Sequence, residues 1–524
     1  MTTATGHSVD CTVVIPVFNR GEALDAGAES LRAQSLPADR IEIIYVDDGS
    51  NDGTTPVLID QTVAALPNAL AFHELASGSP GRPRNIGLAR ATGEFVFFAD
   101  HDDWFDAKAL ERLVKYARAN DSDVVIGKVV AHGRRVAIPR IFRESHASLP
   151  AAEAMISLTP HKLFRREFLL DHDIRYPEGR IRLEDHHFVT HAYLHARKIS
   201  VYADHVCYHH NHPGGDENFS RSAADPETYI SSNREVIELV IRHTEQDAAL
   251  RAALLVRPVQ HELIKKAGPR RLAQLDADGA SRKHAALHAA LVETVPAEVV
   301  DRLGAFPRAT ARALLNDDPS AVRRIDDHEQ RLALGAEATS FGSGPASLTI
   351  GYRVVVEHDG SPVLFHPAGP DAWRLDETVL DPIDLDRDER EADLLSIDVE
   401  FLVSHRRSDV QWHLLNRIAP MLEASTVQSP AGGARSARLV VLGKAELSAD
   451  DLAGARLRPG VWDVKLRAEV LGVGLATRLK APEHSPDQLP SLTLPTRSLR
   501  ASFVVTPKGN LALDVERVAP RRQS

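Results

Sequence analysis

The sequence lacks most of what would staple, anchor or basify a protein. It holds two cysteines, Cys11 and Cys207, too few for a disulfide framework. Its start, MTTATGHSVD, has neither a basic n-region nor an apolar h-region, so no signal peptide is expected. No run approaches the roughly eighteen apolar residues that a membrane span requires. These absences lead us to expect a cytoplasmic protein that reaches the inner face of a membrane only through a partner or its substrate. Positive charge is also short. A formal net charge of −11 argues against a general nucleic-acid binder and against adhesion to anionic lipid. The first apolar run is not followed by G-x-G-x-x-G, which argues against a dinucleotide-binding dehydrogenase. No repeat of short period is present.

What is present is acid at the ends of apolar runs. With 524 residues and 43% hydrophobic residues, the chain is too long for one core, and two or three domains are expected. The run Ile41–Val46 stops at Asp47 and Asp48, and the run Glu94–Ala99 stops at Asp100, Asp102 and Asp103. With Cys11 to Leu24 (CTVVIPVFNRGEAL) these runs give a strand–helix alternation over about one hundred residues, which predicts a parallel sheet. Buried strands that carry acids to their C-terminal tips build the ligand crevice of an open α/β sheet. Such acids hold a hard divalent cation and, through it, a diphosphate.

Four motifs stand in order: IPVFNRGEAL, VDDGSNDGT, SPGRPRNIGLARATGEFVFFADHDDW and RLEDHHF. In these the N-terminal third resembles the family-2 inverting glycosyltransferases of GT-A fold. Further on, PGVWDVKLRAEVLG and VVTPKGNLAL resemble the C-terminal β-domains of wall-teichoic-acid glycosyltransferases. The resemblance implies a GT-A nucleotide-binding domain over 1–225, a helical linker over 226–339 and an Ig-like β-sandwich over 340–524. The linker expectation rests also on Ala-, Leu- and Arg-rich helical spacing. The sandwich expectation rests on a period of two from Leu348 onward, and SFGSGPAS (340–347) reads as a flexible joint.

By the same resemblance, Asp48 meets the uracil of a UDP-sugar, Pro16 and Phe18 lie against its nucleoside, and Glu22 sits near the ribose. Asp47 is read instead as a turn cap. Arg84 and Asn85 belong beside the nucleotide sugar, and Asn85 is expected to start a helix and cap it. Arg82 reads as a solvated basic residue. The D-x-D pattern maps onto Asp100 and Asp102, which share one side if the segment is extended. Asp102 then binds Mn²⁺ or Mg²⁺ directly and Asp100 holds ribose or a metal-bound water, with Asp103 as the alternative ligand. His212 completes the metal shell or touches the diphosphate. His210 stands where relatives carry Arg, and Arg221 is a substitute for that charge. In RLEDHHF, Asp185 is the expected base and Glu184 orients acceptor or sugar, while His186 and His187 line the acceptor pocket or pack.

Ten of the 25 histidines fall between His161 and His212, but their spacing matches none of the usual structural-zinc patterns. Trp412 and Trp462 read as sandwich core rather than sugar platforms. The reading that unites these features is a metal-dependent inverting transferase. It moves N-acetylglucosamine or another hexose from a UDP donor to a hydroxyl of a cell-wall or lipid-linked glycopolymer such as teichoic acid. The resemblance also implies homo-oligomers, as trimer or dimer. The rival reading is a catalytically inactive, transferase-like scaffold assembled through its β-domain.

Overall fold

The computed structural model describes residues 9–133, 140–179, 181–212, 226–265, 275–380, 388–407, 411–428, 435–449, 457–482, 489–494 and 499–518. Contacts divide the chain into two units, residues 1–263 with 293–299, and residues 264–292 with 300–524.

The first unit begins β1 Cys11–Val17, α1 Leu24–Arg32, β2 Ile41–Asp47, α2 Thr55–Ala64, β3 Ala69–His73, α3 Gly81–Arg90 and β4 Phe95–Phe98. It continues through β5 Trp104–Phe105, α4 Ala109–Asn120, β6 Val124–Gly133, β7 His146–Leu149, α5 Ala151–Ala154, β8 Leu163–Arg165 and α6 Arg166–Asp171. It closes with α7 Glu184–His195, β9 Ile199–His212, α8 Pro226–His243 and α9 Ala248–Arg257. The sheet order is β3-β2-β1-β4-β8-β6-β9-β5, with β7 beside β9. β1 lies parallel to both β2 and β4, and β2 parallel to β3. β8 runs antiparallel to β4 and β6.

All seven residues of β1 are buried, as a strand covered by helices on both faces requires. Pro16 sits inside this strand opposite Val46. α1 buries Leu24, Ala28 and Leu31, a helical stripe at i, i+4 and i+7. α3 lies close on β1 because position 87 is glycine: a Cβ there would come within 2.2 Å of Val14 Cγ1.

The second unit carries the helices Ala305–Leu315 and Pro319–Glu329 and two antiparallel sheets. Inside it, fully buried Arg308 is paired with Glu389. One sheet centres on Ser347–His358 paired with Arg435–Ser448, the other on Val399–His405 paired with Gly460–Val470. Tyr352 of one sheet meets Phe401 of the other, ring centroids 5.4 Å apart, so the two pack face to face as a sandwich does. Trp412 and Trp462 are buried in the described residues, in keeping with their reading as core. The stretch 340–347 is not a joint. Strand Leu332–Ser343 and strand Ser347–His358 are partners, with Ser343 opposite Leu348, so the glycines and serines close a hairpin. No helix among the described residues is long and apolar enough to cross a membrane.

Candidate active site

From β1 the chain goes to β2 and β3 on one side, then crosses to β4 on the other. The gap outside the carboxyl ends of β1 and β4 is therefore a topological switch point, where open α/β sheets take their ligands. Phe18 follows β1 and is 48% exposed, an aromatic face left at the crevice. Asn19 and Arg20 follow at φ 50° and 66°, a left-handed pair in a region that non-glycine residues enter rarely. Glu22, in the next turn, is exposed.

At the end of β2, Asp47 and Asp48 divide the work. Asp47 Oδ1 accepts from the Ser50 amide at 2.9 Å, an Asx turn, in keeping with its reading as a cap. Asp48 is buried and accepts from the Ser77 amide and hydroxyl, both at 3.0 Å. Burial pushes its pKa up against these bonds. A carboxylate offers about four acceptor sites, so the Asp48 group can still accept from an N–H donor beside its Ser77 and Gly78 bonds.

The acids after β4 do not lie on an extended segment. The Asp103 amide donates to the Asp100 carbonyl at 3.3 Å, and this turn brings position 103, rather than 102, beside 100. β5 then pairs with β9, Trp104 opposite His209 and Phe105 opposite Tyr208, and the Asn211 amide donates to Asp103 Oδ1 at 2.7 Å. The histidine-rich stretch up to His212 is thus a strand. Its alternation puts Tyr208 and His210 on one face. The Tyr208 hydroxyl accepts from the Asp100 amide at 2.9 Å, and His161 stacks on the Tyr208 ring at 4.7 Å.

The result is a cluster of Asp100, Asp103, His161 and His210, with one ligating atom of each inside 4.8 Å of the others. His161 Nε2 lies 3.0 Å from Asp100 Oδ2 and 3.8 Å from Asp103 Oδ2, and His210 Nε2 lies 3.9 Å from the latter. Burial would raise Asp100, but His161, then Arg84 and His210, hold it well below the usual carboxylate range. Burial, with Asp100 and Asp102 adding to it, pushes Asp103 well above that range. A buried acid that resists ionisation beside an ionised one is a site short of positive charge. Two carboxylates and two imidazoles suit a divalent cation, and the mixed oxygen and nitrogen set suits Mn²⁺ better than the oxygen-seeking Mg²⁺. Asp102 is part-exposed and outside this cluster. His212 ends β9, but its side chain, like Arg221, lies outside the described residues. His161 was not singled out by the sequence; no spacing ties LTPHKLF to the acids, and only the β8 crossover delivers it.

Arg84, buried on α3, joins this cluster to the E-D pair. It donates to Asp100 Oδ1 at 3.0 Å and to Glu184 Oε1 at 3.2 Å, with its guanidinium 5.2 Å from the Tyr176 ring centroid. Leu183, at φ 58°, turns the chain into α7 so that Glu184 and Asp185 occupy the first turn. Glu184 is buried; burial, then Asp185, pushes it up to about 7 against Arg84. Asp185 is part-exposed and its Oδ1 accepts from the His186 amide at 2.9 Å. Nearby, burial pulls the Lys162 ammonium down to about 7.

Asn85 is not a helix cap, because α3 begins four residues earlier at Gly81, straight after Pro80. Its amide binds the segment below, donating to Tyr176 O and Glu178 Oε1 and accepting from the Tyr176 amide, each at 2.9 Å. Arg82 makes a surface pair with Glu74 at 3.3 Å.

Residues 12–178 match the model of glycosyl transferase family 2, and residues 226–326 match that of the glycosyl transferase TarS linker domain. The chain is 32% identical over 232 residues to the poly(ribitol-phosphate) beta-glucosyltransferase of Bacillus spizizenii, 44% of this chain and 36% of the relative. It is 30% identical over 245 residues to the poly(ribitol-phosphate) beta-N-acetylglucosaminyltransferase TarS of Staphylococcus aureus, 46% of this chain and 42% of the relative. The matched segment thus spans less than half the length of these curated relatives. The crystal structure of S. aureus TarS superposes with a TM-score of 0.53 at 18% identity, over 98% of this chain and 86% of that one. Its 1–349 fragment in complex with UDP-GlcNAc gives 0.56 at 24% identity, over 65% and 96%. At these identities the likeness establishes the fold, a GT-A transferase domain followed by helices and antiparallel β-sheets.

Proposed function

We propose that this chain, which carries a family-2 glycosyltransferase domain and a TarS-type linker domain, transfers a hexose from a UDP-sugar to a hydroxyl of a poly(ribitol-phosphate) or similar surface polymer, with inversion and with help from a divalent metal. The observation that carries this reading is the continuity of one polar network, from the acid–histidine cluster through Arg84 to Glu184, the neighbour of Asp185 in the first turn of α7. The two relatives act on poly(ribitol-phosphate), one with glucose and one with N-acetylglucosamine, so the acceptor class is better supported than the sugar. We assign residues 1–225 to catalysis and 226–331 to the linker, and move the start of the β-domain from 340 back to Leu332, where its first strand begins; that domain supports a dimer or trimer, which light scattering of the full chain would read.

In this mechanism Phe18 and Pro16 flank the nucleoside, Asp48 accepts from the uracil N–H, and Glu22 approaches the ribose. Asp100, Asp103, His161 and His210 hold the cation; Asp102 and His212, placed there by resemblance, are candidates for the same shell. The bound cation supplies charge stabilisation for the departing diphosphate. Asp185 takes the proton of the acceptor hydroxyl as its oxygen bonds to the anomeric carbon. The bond from that carbon to the diphosphate oxygen breaks, and UDP leaves with the electron pair. Glu184, fixed by Arg84, orients the sugar. A polymer acceptor brings the protein to the inner membrane face when that polymer is lipid-linked.

Calorimetry with UDP, GDP, CMP, TDP and NAD, each with Mn²⁺ and with chelator, tests the reading. Metal-dependent UDP binding is expected, and no binding of any uridine nucleotide would refute it. In the same assay Asp103→Asn should cost at least what loss of a supporting partner of a metal ligand costs, roughly 10–100-fold, bringing UDP affinity in Mn²⁺ close to its value in chelator. Unchanged metal dependence would remove Asp103 from the shell.

A further inference from the structure

A second group of histidines stands apart from the acid cluster. α7 ends at His195 and α8 ends at His243, and His191 lies one turn back on α7. The ring centroids form a triangle: His191 to His195 is 5.0 Å, His191 to His243 5.5 Å and His195 to His243 4.9 Å. One ligating nitrogen of each lies within 4.8 Å of the other two. The i, i+4 spacing puts the two α7 imidazoles on one face, as in helical zinc motifs where both histidines bind the ion.

Three observations separate this triangle from mere packing. His243 Nδ1 lies 2.8 Å from the Leu239 carbonyl; it must be the donor there, which leaves the Nε2 lone pair outward, the arrangement that ligating histidines adopt. His191 Nδ1 is buried with no hydrogen-bond partner, a cost that a packing role leaves uncompensated. Finally, two helix C-termini converge on the group, and their partial negative charge favours a cation.

We propose that His191, His195 and His243 bind a borderline transition ion of the Zn²⁺, Ni²⁺ or Co²⁺ class. The donor set is imidazole alone, which disfavours Mg²⁺ and Ca²⁺. Three protein ligands leave a fourth position for water, or for His172, whose ring lies 4.7 Å from that of His195. Bound by ligands from both helices, the ion ties the end of α7 to the end of α8. It would act as a clip on the helix that begins with Glu184 and Asp185, a role independent of the transferase reading.

The test uses the full chain, stripped with chelator and titrated with Zn²⁺ by calorimetry and with Co²⁺ by ligand-field absorption. Asp103→Asn serves as background to weaken the acid cluster. One equivalent should bind in that background and raise Tm with the logarithm of free Zn²⁺ once that exceeds Kd. His195→Ala/His243→Ala should weaken binding by more than about 100-fold, because it removes ligands rather than their supports. Should the double variant not fold, His243→Gln alone, at an exposed position, should weaken binding and abolish the Co²⁺ spectrum. Equal Zn²⁺ affinity with and without these histidines, or no stoichiometric binding at all, would overturn the site.

Discussion

Asp185→Asn is expected to lower turnover by roughly 10²–10⁴-fold, the usual contribution of a positioned general base, while leaving metal-dependent UDP binding nearly intact. The substitution keeps shape and the acceptor that holds the His186 amide, and α7 begins on the same first turn. Asp185 is part-exposed and outside the acid–histidine cluster, so the donor side does not depend on it. Loss in kcat and kcat/KM should be equal, because the contact is made only as the proton moves. Steady-state kinetics with a UDP-sugar and polyribitol phosphate, together with calorimetry of UDP, separates the outcomes. A variant that loses UDP binding as well would place Asp185 on the donor side and send the search for the base elsewhere.

The fold was legible wherever one periodicity dominated. The seven buried residues of β1 and the acid-tipped β2 and β4 announced a parallel sheet, and the period of two after Leu348 announced antiparallel strands. What failed to read through was local geometry set by tertiary pairing. Asp100 and Asp102 were expected on one side of an extended segment, but pairing of Trp104–Phe105 with β9 bends it into a turn and substitutes Asp103. Gly342 and Gly344 carry a joint-like composition, yet pairing of the strands on either side makes their stretch a hairpin. Asn85 has the side chain of a cap, but the Pro80-Gly81 step had already opened the helix. His161 offered no signal at all, since its only claim is contact across the β8 crossover. Residue types at the site were thus readable from the strand ends, whereas their partners depended on which strands met.

Arg84→Met should be the most damaging single change to the site, because it leaves two acids behind. Breaking a buried pair by removing one partner costs roughly 3–5 kcal/mol, and Arg84 serves both Asp100 and Glu184 from a position only 4% exposed. The pH dependence identifies the partner. Glu184 is held near 7 in the folded chain against an ordinary value of 4.5. Between those values the folded state keeps a proton that the unfolded state has shed. By linkage, stability from this group is full below 4.5 and is lost as pH rises through about 7. Without Arg84, which opposes the upward shift, the folded value rises further and the loss extends to higher pH. Thermal melts across pH should therefore show Arg84→Met falling more steeply above neutrality than the parent chain. Arg84→Met/Glu184→Gln should recover part of the loss and flatten that slope, a coupling that a double-mutant cycle measures directly. Additive effects with parallel pH profiles would mean that Arg84 acts through Asp100 alone, and Glu184 would then need another reason for its place beside the catalytic base.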